Sequence, residues 1–81
     1  MELKDTVELM NSSEYKLRFK AEYYQLKVRY EKLSSMIEKY EQGTLSFKPK
    51  CSIELLNHQL KVMNDYLMIL KARSEVEGIN L

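Results

Sequence analysis

The sequence is poor in the residues that build covalent, metal and nucleophilic sites. Its 81 residues include one cysteine, one histidine and no tryptophan. Cys51 has no partner for a disulfide within the chain, which suits a reducing compartment. A single histidine, His58, excludes a histidine-based metal cluster and a serine–histidine pair, and we expect it on a helix surface. No glycine-rich phosphate loop or nucleophile elbow is present. We therefore predict no catalytic residue, no metal ligand, no cofactor and no enzymatic activity.

Helix-breaking residues and long apolar runs are also scarce, and the net charge is small. There are two glycines and one proline, whereas 31% of the residues are charged. No apolar run approaches the roughly 20 residues of a membrane span. The N-terminal stretch is acidic and has no secretory signal core, so we expect a cytoplasmic protein without membrane contact. A net charge of +1 disfavours nucleic-acid binding, which normally needs a broad positive field.

Two long stretches carry apolar residues at heptad spacing, with steps of three and four. This spacing keeps one side of a helix against a partner helix. The first pattern comprises Phe19, Tyr23, Leu26, Tyr30, Leu33, Ile37 and Tyr40, and the second comprises Ile53, Leu56, Leu60, Met63, Leu67 and Leu70. The sequence therefore predicts an all-α fold built on a long antiparallel helical hairpin.

Capping and turn residues divide the single predicted domain (1–81) into five parts. We expect an N-terminal docking helix at 1–11, helix A at 12–42, a loop at 43–51, helix B at 52–77 and a tail at 78–81 that packs. Asn11 or a following serine would cap helix A, with Glu14 bonding back to Asn11 as a capping box. Gly43 suits the left-handed position after helix A. Ser52 or Cys51 would cap helix B, and the loop residues Leu45 and Phe47 would turn onto the hairpin end.

Both helices have more apolar surface than one partner can cover. Helix A repeats Leu17, Ala21, Tyr24 and Val28 on its other side, and helix B carries a stripe of Leu55, Val62, Tyr66, Ile69 and Val76. The N-terminal segment can cover one of these stripes and is too short for both. We therefore expect a symmetric homo-oligomeric bundle; the alternative is a three-element monomer with a loosely wrapped N-terminus.

Basic and aromatic residues are concentrated on helix A. Residues 16–32 hold six cations against Glu22 and Glu31, together with Phe19 and three tyrosines. Cations meet phosphate charge, and flat side chains offer a face for a base, although tyrosines at heptad positions are usually core residues. Gln59 lies beside the second heptad pattern and would hydrogen-bond across the hairpin or to a ligand. The predicted ligand-binding residues are Arg18, Lys20, Tyr24, Lys27, Arg29 and Gln59.

Several short stretches resemble a family of small phage and prophage proteins labelled crAss-phage-related. They include Glu22-Tyr23-Tyr24-Gln25-Leu26, Gly43-Thr44-Leu45, Cys51-Ser52-Ile53-Glu54-Leu55-Leu56 and Tyr66-Leu67, and the resemblance covers roughly residues 14–81. It implies a viral or mobile-element protein acting in the cytoplasm of a bacterial host. In architecture, a short helix before a long hairpin is similar to phage sponge proteins that sequester cyclic-nucleotide immune signals. That likeness implies an oligomer that binds ligand between subunits.

Three functions follow from these patterns. The first is non-enzymatic sequestration of an anionic nucleotide immune signal, of cyclic or ADP-ribose type, at subunit interfaces. The second is a protein-binding inhibitor or adaptor whose helix B stripe docks a helix of a host defence protein or a viral protein. The third is nucleic-acid binding through the basic segment.

Overall fold

The computed structural model describes all 81 residues and is entirely helical. A short 3₁₀ turn, Leu3–Thr6, leads into the one-turn helix α1, Val7–Met10. Two long helices follow, α2 at Tyr15–Glu41 and α3 at Ile53–Glu77. The predicted all-α helical hairpin is confirmed. The N-terminal segment (residues 1–10) packs on α2 and makes no contact with α3, so α2 lies between the other two layers.

The two long helices end where left-handed glycines allow the chain to turn. Gly43 has a φ of 74°, and the Thr44 amide donates to the Lys39 carbonyl at 2.9 Å. Gly78 has a φ of 70°, and the Ile79 amide donates to the Ser74 carbonyl at 2.8 Å. Bonds of this span close the Schellman motif and satisfy the last carbonyls of a helix. Both predicted glycine stops are confirmed.

The two helix starts differ from each other. At α3, the Ser52 hydroxyl accepts a hydrogen bond from the Leu55 amide at 3.2 Å, as the first of the two predicted caps requires. At α2, the predicted capping box is wrong. The residue before the helix is Glu14, whose side chain makes no cap bond, and its own amide donates to the Ser12 hydroxyl at 3.0 Å. Ser12 therefore stabilises the bend before the helix, which begins at Tyr15 and not at residue 12.

A small core joins the two helices near the open end of the hairpin. Leu70 is fully buried, and Phe19, Tyr23 and Leu67 pack around it together with Ile79 from the tail. The tail therefore packs, as the sequence predicts. Only 10 of the 81 residues are buried, so the hairpin buries little surface for its length of 43 Å. Small helical proteins of this kind gain stability from association.

Candidate functional site

The N-terminal segment covers the first part of the outer face of α2, the side turned away from α3. Thr6 is fully buried there, and its hydroxyl accepts a bond from the Gln25 amide nitrogen Nε2 at 2.9 Å. The same hydroxyl donates to the Leu3 carbonyl at 2.7 Å, which satisfies it completely within the protein. Ala21 and Val28 are buried beneath this segment. The predicted covering of one apolar stripe by the N-terminus is thus confirmed.

Beyond Val28, the outer face of α2 opens into a groove between the N-terminus and the hairpin loop. Its volume is about 870 Å³. Small-molecule sites typically enclose about 300–1,000 Å³, so a nucleotide-sized ligand fits this space. Its walls come from Met1, α2 and the loop after α2, and none comes from α3. The lining residues are Met1, Val28, Glu31, Lys32, Ser35, Met36, Lys39, Thr44, Leu45, Ser46 and Phe47.

The charge of the groove is mainly positive. Lys32 and Lys39 are both exposed, and they lie two helical turns apart, about 10 Å along α2. Neither ammonium has a carboxylate within ion-pair distance, because the two ion pairs of the structure are Lys4–Glu2 and Arg73–Glu77. Glu31 is the one acid in the lining. Two unpaired cations can therefore meet a ligand that carries more than one negative charge.

Hydroxyls and an aromatic ring complete the groove. Ser35 and Ser46 are exposed and can donate to phosphate oxygens, whereas the Thr44 hydroxyl already donates to the Lys39 carbonyl at 3.3 Å. Phe47 is 56% exposed and belongs to neither aromatic pair of the structure, so one face of its ring is free to stack. Phe47 lines the groove together with Met36 and Lys39 near the C-terminal end of α2, and its expected packing onto the hairpin end stays a prediction. Leu45 beside it is half-buried.

The structure distributes the six predicted ligand-binding residues over separate surfaces. Arg18 donates from Nη1 to the Ser12 carbonyl at 3.0 Å and so fixes the bend before α2. Tyr24 is half-buried, with its ring edge-on to Tyr23 at 5.2 Å between centroids. Gln59 lies on α3, and its side-chain amide donates to the Met63 sulfur of its own helix at 3.8 Å. The expected bond across the hairpin does not form.

The remaining three predicted residues lie on α2 outside the lining of the groove. Lys20 is half-buried, whereas Lys27 and Arg29 are exposed. Arg29 precedes Lys32 by three residues, so the two side chains are neighbours on the helix surface. None of the six predicted residues lines a cavity. Their role in binding stays a prediction, and Arg29 is the one whose position extends the positive surface of the groove.

The sequence patterns did not predict the part of the groove that Ser35, Lys39 and the loop residues form. The basic segment was bounded at residue 32, where the tyrosine-rich stretch ends, and this excluded Lys39. Ser35 and Lys39 continue the spacing of Val28 and Lys32 along one helix face, which was a usable signal. The return of Thr44, Ser46 and Phe47 onto that face depends on the loop conformation, which the heptad patterns do not describe.

A second polar cluster clamps the open end of the hairpin. The Tyr15 hydroxyl donates to the Glu77 carboxylate, and Arg73 donates to both, at 3.2 Å to Glu77 and 3.1 Å to Tyr15. The Arg73 guanidinium also lies 5.1 Å above the Phe19 ring centroid, a cation–π distance. These bonds tie the first turn of α2 to the last turn of α3. We assign this cluster to stability, because its polar groups bond one another.

The clamp changes the proton affinity of its members. The hydrogen bond from Tyr15 is the main reason that the pKa of Glu77 lies below its ordinary value. The same bond raises the pKa of Tyr15. Further along the hairpin, the Tyr66 hydroxyl donates to Glu22, and that bond raises the pKa of Tyr66. The Tyr15 bond thus favours the ionised form of Glu77, and both bonds favour a protonated tyrosine.

Cysteine, histidine and carboxylate side chains do not cluster into a metal site in the structure. It has no group of three or more His, Cys, Asp or Glu side chains that could hold a metal ion. None of its helices combines the length and hydropathy that a membrane span requires. Cys51 is exposed at the start of α3, and His58 is exposed on the same helix.

Comparison with family models gives one match. The model of the Sequestin family covers residues 13–76, which include all of α2, the loop and nearly all of α3. The chain belongs to the Sequestin family. Every residue that lines the groove, apart from Met1, lies within the region that the Sequestin model matches. Comparison with curated proteins and with solved structures gave no match.

Membership of the Sequestin family agrees with what the site contains. The family name denotes sequestration, so the chain is a binding protein rather than an enzyme. The groove offers cations, hydroxyls and an aromatic face, which are groups that hold a ligand. The expected absence of enzymatic activity thus agrees with the family.

Proposed function

We propose that this Sequestin-family protein sequesters an anionic nucleotide immune signal without converting it, as a counter-defence protein of a phage or prophage. One observation carries the proposal, namely the groove in which two unpaired lysines, the hydroxyls of Ser35 and Ser46 and an exposed phenylalanine ring line a space of about 870 Å³. The viral origin rests on the sequence resemblance. Sequestration itself is what the family name describes.

The groove suits a nucleotide because it separates charge recognition from ring recognition. Lys32 and Lys39 lie on the helix wall and would pair with phosphate or pyrophosphate oxygens. Phe47 lies on the loop wall, where a base can stack against it, a contact worth about 1–3 kcal/mol per base. Arg29, one turn before Lys32, would add a third positive charge at the edge. A cyclic or ADP-ribose-type nucleotide has both kinds of group.

The other predicted residues have a secondary role in the proposal. Lys20 and Lys27 are cations on α2 outside the groove, and they would meet a ligand only where a neighbouring subunit completes the site. Arg18 and Tyr24 are already occupied by contacts within the chain. We therefore place the primary contacts on Lys32 and Lys39, with subunit-interface contacts as the secondary part of the proposal.

Sequestration requires at least one protein chain for each molecule of signal. Each chain has one groove, so the protein must accumulate to at least the concentration of the signal. When free sites exceed the dissociation constant a hundredfold, only about 1% of the ligand stays free. A host effector that needs micromolar signal is then deprived of it, and no catalytic step is required.

Calorimetric titration with a ligand panel tests the proposal. The panel contains cyclic mononucleotides, cyclic dinucleotides, ADP-ribose and cyclic ADP-ribose, with adenosine as the phosphate-free control. We expect a saturable signal with at least one charged member at one ligand per groove, and no binding of adenosine. An absence of heat with every charged member, or equal binding of adenosine, would contradict the proposal.

A second candidate function rests on the exposed stripe of α3. Leu55, Val62, Ile69 and Val76 are exposed there, and such a surface can dock a helix of a host defence protein or a viral protein. Stoichiometric recovery of one host protein in a pull-down, with no nucleotide bound, would favour this function. Nucleic-acid binding is a weaker third candidate, because the net charge of the chain is only +1.

A further inference from the structure

The N-terminal segment runs along α2 in the opposite direction and ends at the groove. Traced back from the bend that Arg18 holds, it passes Gln25, which binds Thr6. Its first residue, Met1, lines the groove together with Val28, and Val28 follows Gln25 by one helical turn, about 4.5 Å along α2. The segment therefore forms the end of the groove that lies nearest to the start of α2.

One buried residue anchors the segment on α2. Thr6 is fully buried, and its hydroxyl accepts the bond from Gln25 at 2.9 Å. The same Gln25 nitrogen lies 3.5 Å from the Met10 sulfur. Leu3 and Leu9, three residues to either side of Thr6, are only half-buried. The segment is therefore held by one polar anchor and little apolar surface.

Hydrogen bonds within the segment make Met1 follow the position of Thr6. The Glu2 amide donates to the Asp5 carboxylate at 2.8 Å, and the Asp5 amide donates to the Glu2 carbonyl at 3.0 Å. The Thr6 hydroxyl donates to the Leu3 carbonyl at 2.7 Å. Residues 2–6 thus form one closed turn, so docking of Thr6 places Met1 at the groove.

The segment can leave α2 while the hairpin stays folded. A single helical turn has no stability of its own in water, and parts of a protein with few buried contacts open at a small fraction of the free energy of global unfolding. The hairpin core joins α2 to α3 and contains no residue of the segment. Residues 1–10 also precede the region that the Sequestin model matches.

We infer that the N-terminal segment is a movable end wall of the groove, and that its docking on α2 and ligand binding in the groove stabilise each other. Release of the segment would remove Met1 from the lining and expose Val28, which is 7% exposed when the segment is docked. Thr6 and Gln25 are positioning residues, because they line no part of the groove and act through Met1. The inference rests on the proposed function and adds a means of regulating the same site.

The coupling between docking and binding is reciprocal. The factor by which the docked segment tightens ligand binding is the factor by which the ligand tightens docking. Coupled sites usually affect each other by about 5- to 150-fold. We expect about fivefold, the lower end of this range, because Met1 is the one residue of the segment that lines the groove.

The test combines calorimetry with amide exchange, and its probes are ADP-ribose and cyclic di-AMP. Thr6→Val removes the hydroxyl and keeps the shape of the side chain, so it should release the segment. Its dissociation constant for a probe that the wild-type chain binds should rise about fivefold. Thr6→Ser is the matched control, because it keeps the hydroxyl, and it should bind like the wild-type chain.

Amide exchange gives the readout that a merely structural role of Thr6 would not move. In the wild-type chain, a saturating amount of the bound probe should slow exchange in residues 3–10 about fivefold. Without the coupling, local opening of these residues would not depend on the probe.

Two results would overturn the inference and leave the proposed function intact. One is a probe that binds Thr6→Val and the wild-type chain equally while residues 3–10 exchange faster in the variant. The other is an unchanged exchange of residues 3–10 in Thr6→Val, since Thr6 would then not be the anchor. A wild-type chain that binds neither probe would instead contradict the proposed function for both nucleotides, and the inference with it.

Discussion

Removal of the two groove lysines is the perturbation that locates the binding site. In Lys32→Ala/Lys39→Ala, the groove keeps its apolar lining and hydroxyls but loses both unpaired cations. Both side chains are exposed, so each contact with a phosphate is screened and contributes about 0.5–1 kcal/mol. Together they account for about 1–2 kcal/mol, which corresponds to a 5- to 30-fold weaker dissociation constant.

The assay is calorimetric titration with the ligand that the wild-type chain binds best. Lys48→Ala/Lys50→Ala is the matched control, because it removes the same charge from exposed loop positions that do not line the groove. We expect the control to bind within about twofold of the wild-type chain, since neither lysine lines the groove and exposed charges without a direct contact contribute little in salt. The reasoning is refuted if the two double variants lose affinity equally, or if the groove variant binds as well as the wild-type chain.

Three further predictions concern stability. Leu70→Ala should lower the free energy of unfolding by about 2–5 kcal/mol in urea denaturation, because Leu70 is fully buried. The control Met68→Ala, at an exposed position of α3, should change it by less than about 0.5 kcal/mol. Thr6→Val should cost about 1–3 kcal/mol of local stability, because it leaves the Gln25 amide with only the weak Met10 sulfur as acceptor. The measurement is amide exchange, which should become faster in residues 3–10 and stay unchanged in α3. The melting temperature should fall as pH rises above 10, since Tyr15 and Tyr66 have a raised pKa in the folded chain and donate bonds that ionisation removes; the fall should be smaller in Tyr15→Phe.

Acid should also weaken the clamp, through Glu77. The pKa of Glu77 is lower in the folded chain than its ordinary value of 4.5, so the folded state favours the carboxylate. Its stabilising contribution is present above pH 4.5 and is lost as pH falls through the lowered pKa. Glu77→Gln should therefore show a weaker loss of melting temperature below pH 4.5 than the wild-type chain. If the melting temperatures of the two chains fall equally below pH 4.5, the ionised Glu77 does not stabilise the clamp.

The sequence was sufficient for the parts of the fold that depend on local spacing. The two heptad patterns predict α2, α3 and their mutual packing, and the glycines at 43 and 78 predict where those helices end. These features follow from residues that lie within a few turns of one another. The start of α2 was wrong because Ser12 and Asn11 offer similar capping chemistry, and only the path of the N-terminal segment decides between them.

The candidate site was less accessible from sequence. Basic residues on α2 were recognised, and Arg29 lies next to the groove, but the groove itself depends on contacts between distant parts of the chain. Phe47 and Thr44 reach α2 because the loop folds back along it, and no periodicity encodes that return. Tyr24 was predicted to bind ligand because the sequence does not decide which of the two apolar stripes, that of helix A or that of helix B, the N-terminal segment covers. Tertiary placement therefore decided which polar residues remain free.

Recovery of the ligand after binding tests the central claim most directly. The wild-type chain would be incubated with its best nucleotide ligand, separated from free ligand, and heated to release what it holds. Mass spectrometry of the released material should show the unchanged nucleotide at about one molecule per chain, as sequestration in one groove per chain requires. Release of a cleaved or converted product, or recovery of no nucleotide at all, would contradict the account.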